Sequence, residues 1–500
     1  MRNQSERSRN KNVPFETPPS AFPEDSVSAP SVGAAPRDVA CEALLLTLDP
    51  EASEGAQDIL DRLAREAKLS PRDRALAFEI LQGVLRQRFL LDAAWRRLES
   101  FKIAEAQVVM QEILHVGAYQ YFFLDRVPAR AVVYETVELA RRQIDARAVG
   151  YVNAAMRRLI AQFPKRDQAL ERLAAGERAE TRFSFPGWLA RLIKRVTGPE
   201  SFEAALEALN TPLPLYARVN TAQASVEAVI EELNQLEIHA RPRPDLAGPC
   251  CIEIEGPAGQ AVETSAFQKG AFLIQDASAQ LAVQLVGAQP GMTVVDYCAA
   301  PGGKTSALAA ALQGKGTLIA CDVSEARLKR LHENLARQGL SDFAQVRLLD
   351  PEVAESAAFR AELNGGEGAD RVLVDAPCSG LGTLRRHPEI RWRVNNAAIA
   401  RLAGFQLAIL ERASRLVRPG GWLIYSTCSL ASEENERVVE AFLERHVGAY
   451  EVIQASDAEP LPAPLPECVA TRLNPAGWLR LLPPREPMDC ASAVRIRRKE

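Results

Sequence analysis

The chain has 500 residues, of which 47% are hydrophobic and 25% are charged, and its formal net charge is −4. These values exclude a fibrous or low-complexity chain and predict a globular, multidomain protein with several hydrophobic cores. Because the net charge is slightly negative, any surface that binds nucleic acid must be a local basic patch. No apolar run approaches the roughly 20 residues of a membrane-spanning helix.

The N-terminal third is predicted to be a tail followed by a bundle of helices. Residues 1–36 are rich in Ser, Pro and Asn, which is typical of disorder. Residues 37–164 repeat apolar side chains every three or four positions, which predicts an all-α domain. Ser70 before Pro71 has the pattern of a helix N-cap. Helices are expected at residues 37–48, 56–68, 71 onward, 105–124, 130–144 and 148–162.

The rest of the chain is predicted to form two further units with different secondary structure. Residues 165–269 mix helical stretches with strand-like ones, which predicts a small α+β linking domain. From residue 270 to 500, strands and helices alternate, as in a doubly wound, Rossmann-like sheet. Strands are expected at residues 293–297, 317–322, 345–349, 371–375 and 422–427, and helices at 304–313, 325–338, 397–417 and 433–446.

A glycine-rich turn follows the first of these strands and predicts a cofactor site. The turn CAAPGGKT, residues 298–305, is neither a Walker sequence nor GxGxxG. The next three strands end at Asp322, Asp350 and Asp375. Any one of these acids alone has even odds of being a helix N-cap, but three at one sheet edge favour a neutral or cationic nucleoside ligand. S-adenosylmethionine fits this site, whereas ATP fits it poorly.

Two cysteines sit in short polar motifs after predicted strands. Cys378 follows one strand and Cys428 follows another, so both thiols are expected at the edge that binds the cofactor. A thiolate that adds to carbon 6 of a cytosine activates carbon 5 toward a methyl sulfonium. Asp375 is a candidate to bind the edge of such a base. The remaining cysteines lack the spacing of a zinc site, which predicts a reduced, cytoplasmic protein without a metal.

The motifs resemble those of the RNA 5-cytosine methyltransferases of the Nop2/Sun family. The resemblance rests on CAAPGGKT (298–305), DAPCSG with LGTLRRHPEIRW (375–392), and YSTCSL with ASEEN (425–435). In the N-terminal half, DRALA (73–77) and YVNAAMR (151–157) resemble the helical RNA-binding domain named after NusB. This combination resembles the bacterial members that act on small-subunit ribosomal RNA, over residues 37–485.

The resemblance implies a class I methyltransferase fold and roles for individual residues. It implies that Cys428 is the nucleophile and that Cys378 assists product release, whereas DNA enzymes attack with a thiol in the position of Cys378. One segment departs from the family, because residues 488–492 replace an aromatic stretch. The residues implied to contact S-adenosylmethionine are Cys298, Ala299, Ala300, Pro301, Gly302, Gly303, Lys304, Asp322, Asp350 and Asp375.

The expected function is therefore methylation of carbon 5 of a cytosine in 16S ribosomal RNA, by a monomer acting before the subunit is fully assembled. Two other classes stay open: a methyltransferase for DNA or for another RNA, and a non-catalytic RNA-binding assembly factor. RNA contacts are expected from the basic segment 384–393 beside Cys378, with a solvated loop as the alternative. Weaker candidates are Arg86, Arg88, Arg96, Arg97, Arg495, Arg497 and Arg498.

Overall fold

The structure is a computed structural model that describes residues 35–52, 54–98, 107–256, 258–350, 357–455 and 465–500. The tail predicted at 1–36 lies outside the described residues except for its last two. Within the described ranges, no helix is long and apolar enough to cross a membrane.

Among the described residues, seven helices form the N-terminal bundle, and the spacing of apolar residues predicted the first six. The seventh lies in the stretch 165–269 that was expected to belong to the linking domain, but its Ala169 and Leu173 pack into the bundle core. The third begins as expected, because the Ser70 side chain accepts a hydrogen bond from the Asp73 N–H at 3.1 Å and Pro71 occupies the first turn. Trp95 is completely buried in the bundle core. The helices are α1 Pro36–Leu48, α2 Ala56–Glu66, α3 Pro71–Arg96, α4 Val108–Phe123, α5 Ala129–Gln143, α6 Ala146–Gln162 and α7 Arg166–Ala175.

The middle of the chain is an α+β unit, as expected. Its elements are α8 Ala179–Arg182, α9 Gly187–Thr197, α10 Phe202–Asn210, β1 Leu215–Val219, α11 Val226–Gln235, β2 Ala240–Pro242, α12 Pro244–Ala247, β3 Cys251–Ile254, α13 Ala258–Val262, α14 Ser265–Gln268 and β4 Phe272–Ile274. The four strands form an antiparallel sheet in the order β2-β3-β1-β4. Strand β1, at the centre of this sheet, follows a proline-rich stretch and was not assigned from the sequence.

The C-terminal unit has the predicted Rossmann-like sheet. Its elements are α15 Ala277–Gln284, β5 Thr293–Asp296, α16 Gly303–Leu312, β6 Thr317–Asp322, α17 Glu325–Arg337, β7 Ala344–Leu348, α18 Ala357–Ala361, β8 Ala369–Asp375, α19 Ile390–Arg393, α20 Asn396–Ser414, β9 Val417–Thr427, α21 Glu436–Arg445, β10 Tyr450–Val452, α22 Glu467–Ala470, β11 Trp478–Leu481 and β12 Ala491–Arg498. Strands β7, β6, β5, β8 and β9 are parallel neighbours in that order. The antiparallel strands β12, β10 and β11, which the sequence analysis missed, extend the sheet beyond β9.

The segment 384–393 joins the helical bundle to the C-terminal Rossmann-like unit, and its predicted role in binding RNA is wrong for its most buried members. Arg391 is only 1% exposed. Its guanidinium lies 4.0 Å from the centre of the Phe185 ring and donates to the Asn210 side chain at 2.8 Å. It also donates to the backbone carbonyls of Arg86, Phe183, Ser184 and Leu209.

Neighbouring side chains of this segment serve the same interface. The Trp392 ring nitrogen donates to the Leu85 carbonyl at 2.8 Å, and Arg393 donates to the Glu54 carbonyl at 2.7 Å. Since donors and rings engaged in these contacts are not available to phosphates or bases, the part of the segment at 391–393 is structural. Its chemistry suits an interface because a guanidinium can satisfy several buried carbonyls at once.

Three of the arginines named as weaker candidates for RNA binding also make their contacts inside the protein. Arg86 is buried and donates to the Arg385 carbonyl at 3.0 Å. Arg88 pairs with the fully buried carboxylate of Glu112 at 2.6 Å. Arg495 is 3% exposed, beneath Trp422. Their predicted RNA contacts are therefore wrong, because in each case the guanidinium faces the interior of the protein.

Replacing Arg391 by alanine is expected to lower the free energy of unfolding by about 3 kcal/mol, because several buried carbonyls lose their donor and a cavity remains. Chemical denaturation followed by tryptophan fluorescence measures the change. Arg401→Ala, on the exposed face of α20, is the matched control and should change stability by less than about 0.5 kcal/mol. Unchanged stability of Arg391→Ala together with weaker RNA binding would restore the RNA role.

Candidate active site

Two thiols meet where the neighbouring strands β8 and β9 end. Asp375, the last residue of β8, lies opposite Ser426 near the end of β9. Cys378 lies three residues beyond β8, and Cys428 directly follows β9. Their sulfur atoms are 3.1 Å apart, and both residues are partly exposed. The parallel pairing of the two strands thus brings together thiols that are 50 residues apart in the chain.

The Cys378 thiol is held in its protonated form. Its hydrogen bond to Cys428 raises its pKa well above the ordinary value, and burial raises it further. The charge of nearby Glu434 acts in the same direction. At neutral pH, Cys378 is therefore an S–H group whose nearest sulfur neighbour is Cys428.

An ion pair lies beside the thiols. Lys304, in the first turn of α16, places its Nζ 2.6 Å from Oδ2 of Asp375. Burial alone would lower the pKa of Lys304, but the charge and hydrogen bond of Asp375, together with the charges of Cys428 and Asp296, raise it. Lys304 is therefore a cation held between the glycine-rich turn and the cysteine loops.

Glu434 joins the two cysteine loops, and the sequence analysis gave it no role although it lies in the quoted ASEEN motif. Its side chain is completely buried, and its carboxylate accepts hydrogen bonds from Ser379 and Ser429. These two serines directly follow Cys378 and Cys428. In sequence, Glu434 follows another glutamate, Glu433, and only packing distinguishes the buried acid from the partly exposed one.

The unusual segment 488–492 forms the back wall of the site. The Gly382 N–H donates to the Cys428 carbonyl at 2.7 Å, and the Cys490 N–H donates to the Gly382 carbonyl at 2.9 Å. Cys490, 2% exposed, is thus a packing residue behind the Cys428 loop. Asp489 pairs with Arg386 at 3.0 Å, and burial raises the pKa of Asp489 to about 7.

Replacing Gly382 by alanine is expected to disrupt the site, because an added Cβ would lie 2.1 Å from the Cys490 carbonyl oxygen and 2.7 Å from that of Cys428. Both atoms belong to the backbone, so the loops must shift. We expect the rate of any reaction that uses Cys428 to fall by at least about 10²-fold, since a displacement of about 1 Å has that cost. Activity assays and thermal unfolding measure the two effects.

Gly404→Ala is the matched control for this prediction. Gly404 lies within α20, and a Cβ there has nothing within 4 Å. Because alanine favours helix more than glycine does, this variant should be about 0.5–1 kcal/mol more stable and fully active. Equal behaviour of the two variants would contradict the packing role of Gly382.

The glycine-rich turn and the neighbouring acids form a site that fits a cationic nucleoside. Gly302 has a φ of 102°, and an added Cβ would lie 2.5 Å from a methyl carbon of Leu331. The turn bonds to the next strand through the Ala299 N–H and the Cys321 carbonyl, at 2.8 Å. This close approach brings the backbone of residues 298–304 over the ends of β5 and β6.

Asp296 is a second residue that the sequence analysis did not assign to the site. One of its carboxylate oxygens accepts a hydrogen bond from Thr305 at 2.8 Å, while Oδ1 is buried without a partner among the described residues. Burial raises the pKa of Asp296 to about 7, and the nearby charges of Asp375 and Asp322 contribute. An unpartnered acidic oxygen fits the sulfonium and ammonium groups of S-adenosylmethionine.

The other two predicted strand-end acids differ in their surroundings. Asp322 is 2% exposed, accepts a hydrogen bond from the Ser324 N–H at 3.0 Å and pairs with Arg327 at 3.0 Å. Asp350 lies two residues beyond β7 and is exposed. It thus lies at the same edge of the sheet as Asp322 and Asp375.

Three family models match consecutive parts of the chain. The model of the 16S rRNA methyltransferase RsmB/F family matches residues 283–491, the NusB family matches 35–161, and the ferredoxin-like domain of RsmF/B-like methyltransferases matches 185–260. Ribosomal RNA small subunit methyltransferase B of Vibrio cholerae is 37% identical over 76% of this chain and 84% of its own length.

Solved structures confirm the fold. The crystal structure of PH0851 has a TM-score of 0.71 and 24% identity and covers 95% of this chain and all of its own. A methyltransferase homolog from Pyrococcus horikoshii has a TM-score of 0.50 and 28% identity, covering 64% of this chain and 97% of its own. The Rossmann-like architecture predicted from the sequence is thus that of known methyltransferases.

Proposed function

This chain belongs to the 16S rRNA methyltransferase RsmB/F family, and from this premise we propose that it methylates carbon 5 of a cytosine in small-subunit ribosomal RNA. S-adenosylmethionine is the cofactor and, when bound, supplies the methyl group. The observation that carries the cytosine assignment is the pair of thiols 3.1 Å apart at the cofactor edge of the sheet. Methylation of an amine or a hydroxyl needs no such pair, whereas carbon 5 of cytosine must first be activated.

Cys428 is the nucleophile in this proposal. Its sulfur, after a base has taken the thiol proton, bonds to carbon 6, and the electrons of the carbon 5–carbon 6 double bond pass to carbon 5, which takes the methyl group and leaves a neutral thioether behind. A base then removes the carbon 5 proton, and the freed electron pair restores the double bond as the carbon 6–sulfur bond breaks and the sulfur leaves as a thiolate. Cys378 is the weaker candidate for attack because its raised pKa keeps it protonated. From 3.1 Å away, it is placed to assist release of the product.

The remaining predicted residues hold the base and the cofactor. Asp375, fixed by Lys304, is proposed to bind the cytosine edge and so orient carbon 6 toward Cys428. Asp296, Asp322 and Asp350 are proposed to contact the cofactor together with the turn at 298–304. Flipping a base into this site costs less in an unpaired region, which favours RNA before subunit assembly is complete.

Methyl transfer from labelled S-adenosylmethionine to protein-free small-subunit ribosomal RNA tests the proposal. Label should appear as 5-methylcytidine after digestion to nucleosides, and assembled subunits, large-subunit RNA and DNA should be poor acceptors. Equal transfer to another RNA or to DNA would overturn the substrate assignment. Cofactor binding without transfer to any acceptor would favour a non-catalytic assembly factor.

A further inference from the structure

We propose that Glu434 is a positioning residue that fixes the two thiols of the active site relative to each other. It acts through hydrogen bonds to both cysteine loops and does not itself meet the substrate. The catalytic consequence of this role rests on the proposed function, whereas the effect on the distance between the thiols does not.

The Glu434 carboxylate accepts four hydrogen bonds, two on each oxygen. Oε1 accepts from the Ser379 N–H at 2.8 Å and from Gln406 Nε2 at 2.9 Å. Oε2 accepts from the hydroxyls of Ser379 and Ser429, both at 2.5 Å. Four donors match the lone pairs of an ionised carboxylate, so this fully buried acid has no unsatisfied acceptor site.

The donors come from both reactive loops and from the helix behind them. Ser379 directly follows Cys378, and Ser429 directly follows Cys428. Each reactive cysteine is therefore next in sequence to a serine that binds the Glu434 carboxylate. Gln406, on α20, also donates to the Pro377 carbonyl at 2.9 Å, on the other side of Cys378. Cys378 is therefore flanked by two residues that share one hydrogen-bond network.

Glu434 is itself anchored to the strand that carries the nucleophile. The Tyr425 hydroxyl donates to the Glu434 carbonyl at 2.6 Å. The next residue, Asn435, accepts from the Thr427 hydroxyl at 2.6 Å and donates to the Ser429 carbonyl at 3.0 Å. The turn that contains Glu434 is thus hydrogen-bonded to residues on both sides of Cys428. Because Glu434 also binds Ser379, the same turn fixes the Cys378 loop relative to Cys428.

Cross-linking of the two thiols measures their positions without RNA. Diamide takes two electrons and two protons from a dithiol and leaves a disulfide, and the rate depends on how often the sulfurs meet. In Glu434→Ala, we expect disulfide formation between Cys378 and Cys428 to slow by at least about 10-fold, because four donors lose their acceptor and the loops separate. Peptide mapping after alkylation of free thiols identifies the bond.

The conservative variant separates positioning from charge. Glu434→Gln keeps one oxygen for the two N–H donors and offers its amide to the two hydroxyls, which can turn to accept. We expect it to cross-link within about 3-fold of the wild-type rate. Ser429→Ala, which removes one donor, should lie between the wild type and Glu434→Ala. Glu433→Ala is the matched control, since Glu433 pairs with Arg195 outside the network at 3.1 Å.

Adduct formation measures the catalytic effect in the same variants. Ribosomal RNA made with 5-fluorocytosine should trap the covalent complex, because fluorine at carbon 5 cannot be removed as a proton is. We expect trapping to slow by about 10²-fold in Glu434→Ala, with cofactor affinity unchanged, and to be near normal in Glu434→Gln.

The outcomes divide clearly. A wild-type rate of cross-linking in Glu434→Ala would overturn the proposal. If Glu434→Gln cross-links as slowly as Glu434→Ala, the negative charge of Glu434, and not its positioning of the loops, controls the rate. If Glu434→Ala does not fold, the other two variants test the proposal. A slower cross-linking rate in Ser429→Ala with a near-wild-type rate in Glu434→Gln supports positioning, and a wild-type rate in Ser429→Ala contradicts it. If the wild type cross-links readily but traps no RNA, the proposed function fails and the positioning role is judged from cross-linking alone.

Discussion

Replacing Cys428 by serine is expected to lower methyl transfer by at least about 10³-fold and to abolish the covalent complex with RNA. A hydroxyl is almost entirely protonated at neutral pH and adds poorly to carbon 6, whereas cofactor binding does not depend on this side chain. The initial rate with protein-free small-subunit ribosomal RNA measures the loss, and calorimetry with S-adenosylmethionine shows that the cofactor site is intact.

Cys468→Ser is the control for this result. Cys468 is a partly buried thiol on α22 that donates to the Gln284 side chain at 3.3 Å, which serine can also do. This variant should retain wild-type activity. Activity that survives in Cys428→Ser would remove Cys428 from the role of nucleophile.

Replacing Cys378 by serine is expected to leave attack intact but to slow release, so that a covalent enzyme–RNA complex accumulates. Cys428 would still form its bond to carbon 6, and the step that needs the second sulfur would lag by about 10²-fold or more. A denaturing gel with labelled RNA measures the accumulated complex, and turnover should fall in parallel.

The opposite pattern would exchange the two roles. If Cys378→Ser formed no adduct and Cys428→Ser accumulated one, attack would come from Cys378, as in the DNA enzymes. Because the sulfurs are 3.1 Å apart, both thiols can reach one base, and the geometry alone permits either order. The raised pKa of Cys378 favours Cys428 as the nucleophile.

The elements of the site were predictable because they are local. The turn at 298–305, the strands before it and after it, and the two cysteine motifs each depend on a few consecutive residues. Parallel strands put their carboxyl ends at one edge, so the sequence also predicted that Cys378 and Cys428 share a site. The three antiparallel strands at the C-terminal end escaped prediction because β12 pairs with β9, which lies far away in the chain, and β10 and β11 in turn pair with β12.

What the sequence by itself determined is the set of chemical groups at the proposed site: two thiols, a glycine-rich turn and strand-end acids, each of which stands in a short local motif. The tertiary structure alone decided which charged residues serve that chemistry and which serve packing. Arg391 looked like a phosphate ligand but binds carbonyls 181 to 305 positions away in the chain. Glu434 was given no role from the sequence but lies at 0% exposure between the thiol loops. The physical reason is that the burial and the partners of a charged side chain depend on segments that are distant in the chain. A local sequence pattern therefore does not show whether such a side chain is buried or what it contacts.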